Sequence, residues 1–220
     1  MKKFIMDNSL SIVLLSLFFV FLMGLFFTGA SEYNEEQKSH NQPIVSLTQY
    51  VTSSHFAEAV FENWESEFLQ MWALVILTIY LKQKGSADSK KLKGKEEEDT
   101  SSRYSLIKSF TQGKNRGKAL LDLIYSHSLG YALLLLFIFS FLMHGLSGVS
   151  EYNQDAITHG EEQLTFLQYL ASTRFWFESF QNWQSEFLAV GCLLILSIFL
   201  RQRGSPESKP IGEPNKTTGN

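Results

Sequence analysis

The stretch IVLLSLFFVFLMGLFF, residues 12–27, decides the fold class. It carries no charge, and extending it to its polar flanks gives 21 residues, 9–29. With about 1.5 Å of rise per helical residue, about 20 apolar residues cross a hydrocarbon core of about 30 Å. A second run, LGYALLLLFIFSFLMHGL at 129–146, is interrupted only by His144. Two shorter runs, FLQMWALVILTIYL at 68–81 and FLAVGCLLILSIFL at 187–200, have 14 residues each, the length of a buried core helix as well as of part of a span. Extended back to Trp64 and Trp183 they reach 18 residues. That extension places Glu67 and Glu186 inside the segments, near one interface. Trp64 and Trp183 read as interfacial anchors.

The chain repeats itself. Residues 8–91 align with 127–210 at a constant offset of 119, with 33 identities over 84 positions and no gap. SEYN at 31–34 recurs at 150–153, NWESEFL at 63–69 recurs as NWQSEFL at 182–188, and KQKGSADSK at 82–90 recurs as RQRGSPESK at 201–209. The expected fold class is therefore an all-α integral membrane protein with four transmembrane helices. They form two parallel-oriented repeats of a helical hairpin, with spans at about 9–29, 64–81, 128–148 and 183–200. The domain reading is a first repeat at 1–91, a charged linker at 92–126, a second repeat at 127–210 and a disordered tail at 211–220. Lys2 and Lys3 before an apolar run have the form of a secretory signal. The matching mid-chain segment argues instead for a retained span.

Charge sets the expected topology. The N-terminus, the 82–126 segment and the C-terminus carry 17 of the 19 Lys and Arg residues. The regions 30–67 and 149–186 carry only Lys38 and Arg174, with 13 of the 22 acids. The positive-inside rule then puts both termini and the linker in the cytoplasm. An even number of spans between the copies gives them the same orientation, related by a pseudo-two-fold axis along the membrane normal. The linker reads as disordered over about 86–102. Leu106, Ile107 and Phe110 are candidates for interfacial contact, and Lys114, Arg116 and Lys118 for anionic lipid. Each outer region, 45–64 and 164–183, is dense in aromatics at helical spacing and reads as a short helix followed by an amphipathic helix running into the next span.

Composition excludes several classes. The single Cys192 rules out an intramolecular disulfide and a multi-Cys metal centre. A net charge of −3 rules out a bulk nucleic-acid binder. No phosphate loop, dinucleotide fingerprint, zinc-protease helix or nucleophile elbow is present. No cofactor and no metal site is expected. The spans offer no facing His pair for haem, and His40 with His159 is an unsupported metal pair.

The candidate polar site rests on ionisable residues within apolar helices, which are functional-site hypotheses by default. Glu67 and Glu186 occupy the same repeat position, so a symmetric pair near the outer face could share a proton or a cation. Asn63 and Asn182 lie one turn before them. Glu32, Tyr33, Glu151 and Tyr152 follow the outer ends of the long spans at the same depth. Tyr33 or Asn34 could instead close the hairpin.

The duplicated SEYN, NWxSEFL and QRGSxxSK elements resemble a bacterial membrane-protein family catalogued only as a domain of unknown function. The resemblance covers all but the linker. It implies a four-span protein of the bacterial inner membrane and supplies no activity or catalytic residue. The leading expectation is a non-enzymatic interaction or accessory membrane protein, partnered by the bilayer, by a second copy or by an unidentified membrane protein. The alternatives are a small oligomeric cation channel or transporter using the Glu pair, and a membrane enzyme acting at the outer face.

Overall fold

The structure is a computed structural model that describes residues 2–92 and 116–218. The lipid contacts expected of Leu106, Ile107, Phe110 and Lys114, and linker disorder beyond residue 92, lie outside the described residues. Among the described residues every regular element is helical. They are α1 (Lys2–Asp7), α2 (Ser9–Ser39), α3 (Leu47–Tyr50), α4 (Ser54–Tyr80), α5 (Arg116–Ser126), α6 (Ser128–His159), α7 (Phe166–Leu170) and α8 (Thr173–Phe199).

Three of these, α2, α6 and α8, are long and apolar enough to cross a membrane, which makes this a multi-pass helical membrane protein. The fourth long helix, α4, has 27 residues, like α8. It falls short on apolarity because Glu58, Glu62, Glu65, Glu67 and Gln70 load its first 17 residues. Helix α2 does not stop where its apolar run stops. It continues through the SEYN element to Ser39, because Glu, Gln and Lys keep helical propensity after the apolar residues end. Helix α6 likewise runs through Ser150 and Tyr152 and ends at Gly160, whose φ is +71°. There Gly160 N–H donates to Ile157 O at 3.3 Å and Glu161 N–H to Ala156 O at 2.8 Å, a left-handed termination that glycine permits without strain.

The chain divides into two compact units, residues 1–61 with 143–175, and residues 62–142 with 176–220. In the first, Ala30, Tyr33 and Tyr50 form a small core with Phe26, Val45 and Phe56. Tyr50 lies against Gly29 of α2, where a Cβ would overlap its hydroxyl. Asn34 clamps the chain returning to α3: its Nδ2 donates to Val45 O at 3.0 Å, and Val45 N–H donates to its Oδ1 at 2.7 Å. Ser46 and Gln49 then form a reciprocal capping box that starts α3.

The glycine–tyrosine contact, the asparagine clamp and the capping box recur 119 residues later. Tyr169 lies against Gly148, Asn153 clamps Leu164 at 2.9 and 2.8 Å, and Thr165 with Gln168 caps α7. The hairpin-closing role considered for Asn34 is thus exerted on the backbone before α3.

In the second unit, the elements that follow α4 and α8 fold alike. Gln83 N–H donates to Ser89 Oγ and Gln202 N–H to Ser208 Oγ, both at 2.8 Å. Gly85 and Gly204 have φ of +91° and +85°. They lie five residues past Tyr80 and Phe199, as turn residues. The buried Lys209 donates to Asn215 O at 3.2 Å and Thr217 O at 2.7 Å, and so carries hydrogen bonds of the tail.

Candidate functional site

The first unit buries an acid and an imidazole side by side. Glu58, on α4, is 9 % exposed, and His144, on α6, is fully buried. Their potential ligand atoms lie within 4.8 Å of one another. The Tyr169 hydroxyl donates to Glu58 Oε1 at 3.3 Å. Phe175 covers the imidazole, with ring centroids 4.8 Å apart and planes at 31°. The glycine contact of Tyr169 matters here: Gly148 lets the phenol slide against α6, which fixes where its hydroxyl points.

Burial of this kind is costly without compensation. Moving an ionised carboxylate out of water costs several kcal/mol, roughly, unless hydrogen bonds or a counter-charge offset it. The arrangement can therefore hold a proton shared between carboxylate and imidazole, or a cation coordinated by both.

A second chain of groups lies at the first-repeat counterpart of Tyr169. The Tyr50 hydroxyl and His55 Nδ1 are 3.0 Å apart, and His55 Nε2 lies 3.6 Å from a Glu32 carboxylate oxygen. Tyr33 stacks on His55 at 5.0 Å. At the matching positions of the second copy, Arg174 lies 5.8 Å over the Tyr152 ring. Glu151 accepts from Ser54 Oγ at 2.9 Å. Burial, followed by the fields of Glu32, Glu151 and Tyr33, pushes the Tyr50 phenol from 10.0 up to about 12. The folded protein keeps this proton after the unfolded chain has lost it. Stability is thus fully present below pH 10 and falls between pH 10 and about 12. Phenolate absorbance of the purified protein should show one tyrosine of the eight ionising near pH 12. Tyr50→Phe should remove it; an unchanged titration would refute the assignment.

His40 and His159 also meet, ring centroids 5.4 Å apart, with His159 Nδ1 3.0 Å from Asp155 Oδ1. All three are exposed.

In the second unit, Glu65 is fully buried and accepts from the Trp183 indole N–H at 3.0 Å. Asn182 Nδ2 donates to Glu62. Trp183, expected at the interface as an anchor, spends its one donor on this carboxylate. Trp64 is half-buried and Asn63 exposed. Glu67 is exposed, Glu186 half-buried, and the Glu186 carboxylate repels Glu67. A cavity of about 400 Å³ lies between Trp72, Ile76 and Ile79 of α4 and His127, Tyr131 and Leu134.

The eight residues singled out from sequence are split by these units. Glu32, Tyr33, Glu151 and Tyr152 belong to the first, and Asn63, Glu67, Asn182 and Glu186 to the second. Within its unit, Glu32 meets His55, and Glu186 acts on Glu67. Glu58, His144 and Tyr169 were not among them. The signal that could have found Glu58 is helical spacing: Glu58, Glu62 and Glu65 fall at i, i+4 and i+7, one stripe of α4. Glu67 lies about 180° around the helix from Glu58 at about 100° per residue, away from that stripe.

Helices of this length and apolarity, with ionisable groups buried among them, define a multi-pass membrane protein of the α-helical class. The chain belongs to the family described as Domain of unknown function (DUF6766), which matches residues 1–220. No curated protein and no solved structure matches it.

Proposed function

We propose that the protein is a four-span bacterial inner-membrane protein, built from two parallel helical hairpins with both termini cytoplasmic, that binds a small cation near the outer ends of its helices and passes it across the membrane. The observation that carries this reading is Glu58 buried beside His144, with Tyr169 donating to the carboxylate. A buried carboxylate costs several kcal/mol, roughly, unless hydrogen bonds, a counter-charge or a bound cation offset it. The duplicated sequence, the recurrence of the glycine–tyrosine contact and the Lys/Arg asymmetry support the two-hairpin topology. This reading moves the cation site from the symmetric Glu67 and Glu186 pair to an asymmetric site with one residue from each repeat. Leu25 and Phe177 stand where His144 and Glu58 stand in the other repeat.

The test is cation and proton flux into liposomes containing the full chain. Wild-type protein should conduct, Glu58→Gln should abolish flux, and the exposed Glu67→Gln should leave most of it. No flux above empty liposomes, or flux unchanged in Glu58→Gln, would sink the reading.

One observation favours the accessory-protein reading. The most apolar 18-residue window of α2 has no buried residue, leaving the helix free to face lipid, a second copy or another membrane protein. Native mass spectrometry of the intact protein distinguishes these, since lipid alone leaves a monomer.

A further inference from the structure

We infer that the ion held by Glu58 and His144 is a first-row divalent transition metal of the zinc type, one per chain. This deepens the proposed function and rests on its site. The chemistry of the donors selects the ion. A neutral imidazole nitrogen suits zinc, copper, iron and nickel, whereas magnesium, calcium and alkali ions take oxygen ligands alone. Glu58 and His144 come from different helices and bring one nitrogen and one carboxylate oxygen within 4.8 Å of one another.

The surroundings fit a metal centre better than a solvated acid. Tyr169 donates to Glu58 Oε1, the outer-shell support that ligating carboxylates receive. Phe175 stacks on His144 and holds the ring in one plane. Both ligating residues are shielded from water, as the ligands of a metal centre are. The site takes one residue from each repeat and has no symmetric copy, because Leu25 and Phe177 stand at the matching positions. The stoichiometry is therefore one ion, not two.

The experiment uses full-length protein in detergent, stripped with a chelator and titrated with Zn²⁺ against a fluorescent competitor, with Mg²⁺ in parallel. One Zn²⁺ per chain should bind, and Mg²⁺ at the same concentration should not displace it. Glu58→Gln and His144→Gln should each weaken binding by about 100-fold, and Tyr169→Phe by about 10-fold. The double variant His40→Gln with His159→Gln should bind as wild type. If His144→Gln fails to fold, the wild-type thermal midpoint with and without Zn²⁺, and the loss of that shift in Glu58→Gln, still decide the matter.

Absence of stoichiometric Zn²⁺ binding overturns the inference. So does binding that survives in Glu58→Gln, or that disappears only in the His40 and His159 variant. Zn²⁺ binding without flux would sink the transport reading and leave the metal site standing. Flux of another cation without Zn²⁺ binding would do the reverse.

Discussion

Trp183→Phe is expected to lower the stability of the detergent-solubilised protein by about 2–3 kcal/mol, the cost of removing a hydrogen bond to a charged group together with some buried ring area. The indole N–H of Trp183 donates to Glu65 at 3.0 Å, and Glu65 is fully buried. Phenylalanine keeps an aromatic ring but takes away the donor, so a buried carboxylate loses one of the groups that offset its desolvation. The asymmetry between breaking a buried polar pair and replacing it gives a sharper test. Glu65→Leu together with Trp183→Phe removes the charge as well as the donor, and should recover much of what Trp183→Phe alone loses. Thermal melts of the two single variants and the double variant, in one detergent, give the coupling directly. If Trp183→Phe melts with wild type, Trp183 is a lipid-interface anchor after all and its bond to Glu65 contributes nothing.

That outcome would also bear on how far the sequence can be read. The apolar runs at 12–27 and 129–146 are legible because a span needs length and apolarity, and both are written along the chain. The repeat is legible for the same reason: 33 identities at one offset need no geometry. The site was less legible because burial depends on which face of α4 turns inward. Glu58, Glu62 and Glu65 share one stripe, and Glu58 and Glu65 on it are buried, while Glu67, two residues past Glu65, is exposed. A symmetry argument favoured Glu67 because Glu186 repeats it. The buried acids have no such repeat: Phe177 stands for Glu58, Gln181 for Glu62 and Gln184 for Glu65. His144, standing where the first copy has Leu25, is likewise a departure from the repeat. In a duplicated chain the shared residues report the common scaffold, as Gly29 and Gly148 do, whereas polar replacements at buried positions report what one copy does alone.

The scaffold itself carries the second large prediction. Gly148→Ala should destabilise the protein by about 1–3 kcal/mol through overpacking, and Gly29→Ala by a similar amount. Tyr169 is fully buried and lies so close to Gly148 that an added Cβ would meet its Cε1 at 2.7 Å and its hydroxyl closer still. Tyr50, 1 % exposed, stands in the same relation to Gly29. Neither ring can retreat easily: Tyr169 also packs on Phe175 at 5.8 Å, and Tyr50 on Phe26 at 5.9 Å and Phe56 at 5.5 Å. Gly24, on the same helix as Gly29, has nothing within 4 Å of its Cβ position. There alanine should be neutral or stabilise by up to about 1 kcal/mol, since it is the better helix former. The contrast separates packing from propensity, because all three substitutions add the same methyl group to a helix interior. The two tight sites then differ in consequence. A displaced Tyr50 disturbs only its contact with His55, whereas a displaced Tyr169 pulls its hydroxyl away from Glu58. Gly148→Ala should therefore weaken cation binding at Glu58 as well as lower the melting temperature, while Gly29→Ala should lower the melting temperature alone. Equal loss of binding in both variants would mean that the tyrosines act only through general stability, and that Tyr169 does not position the carboxylate.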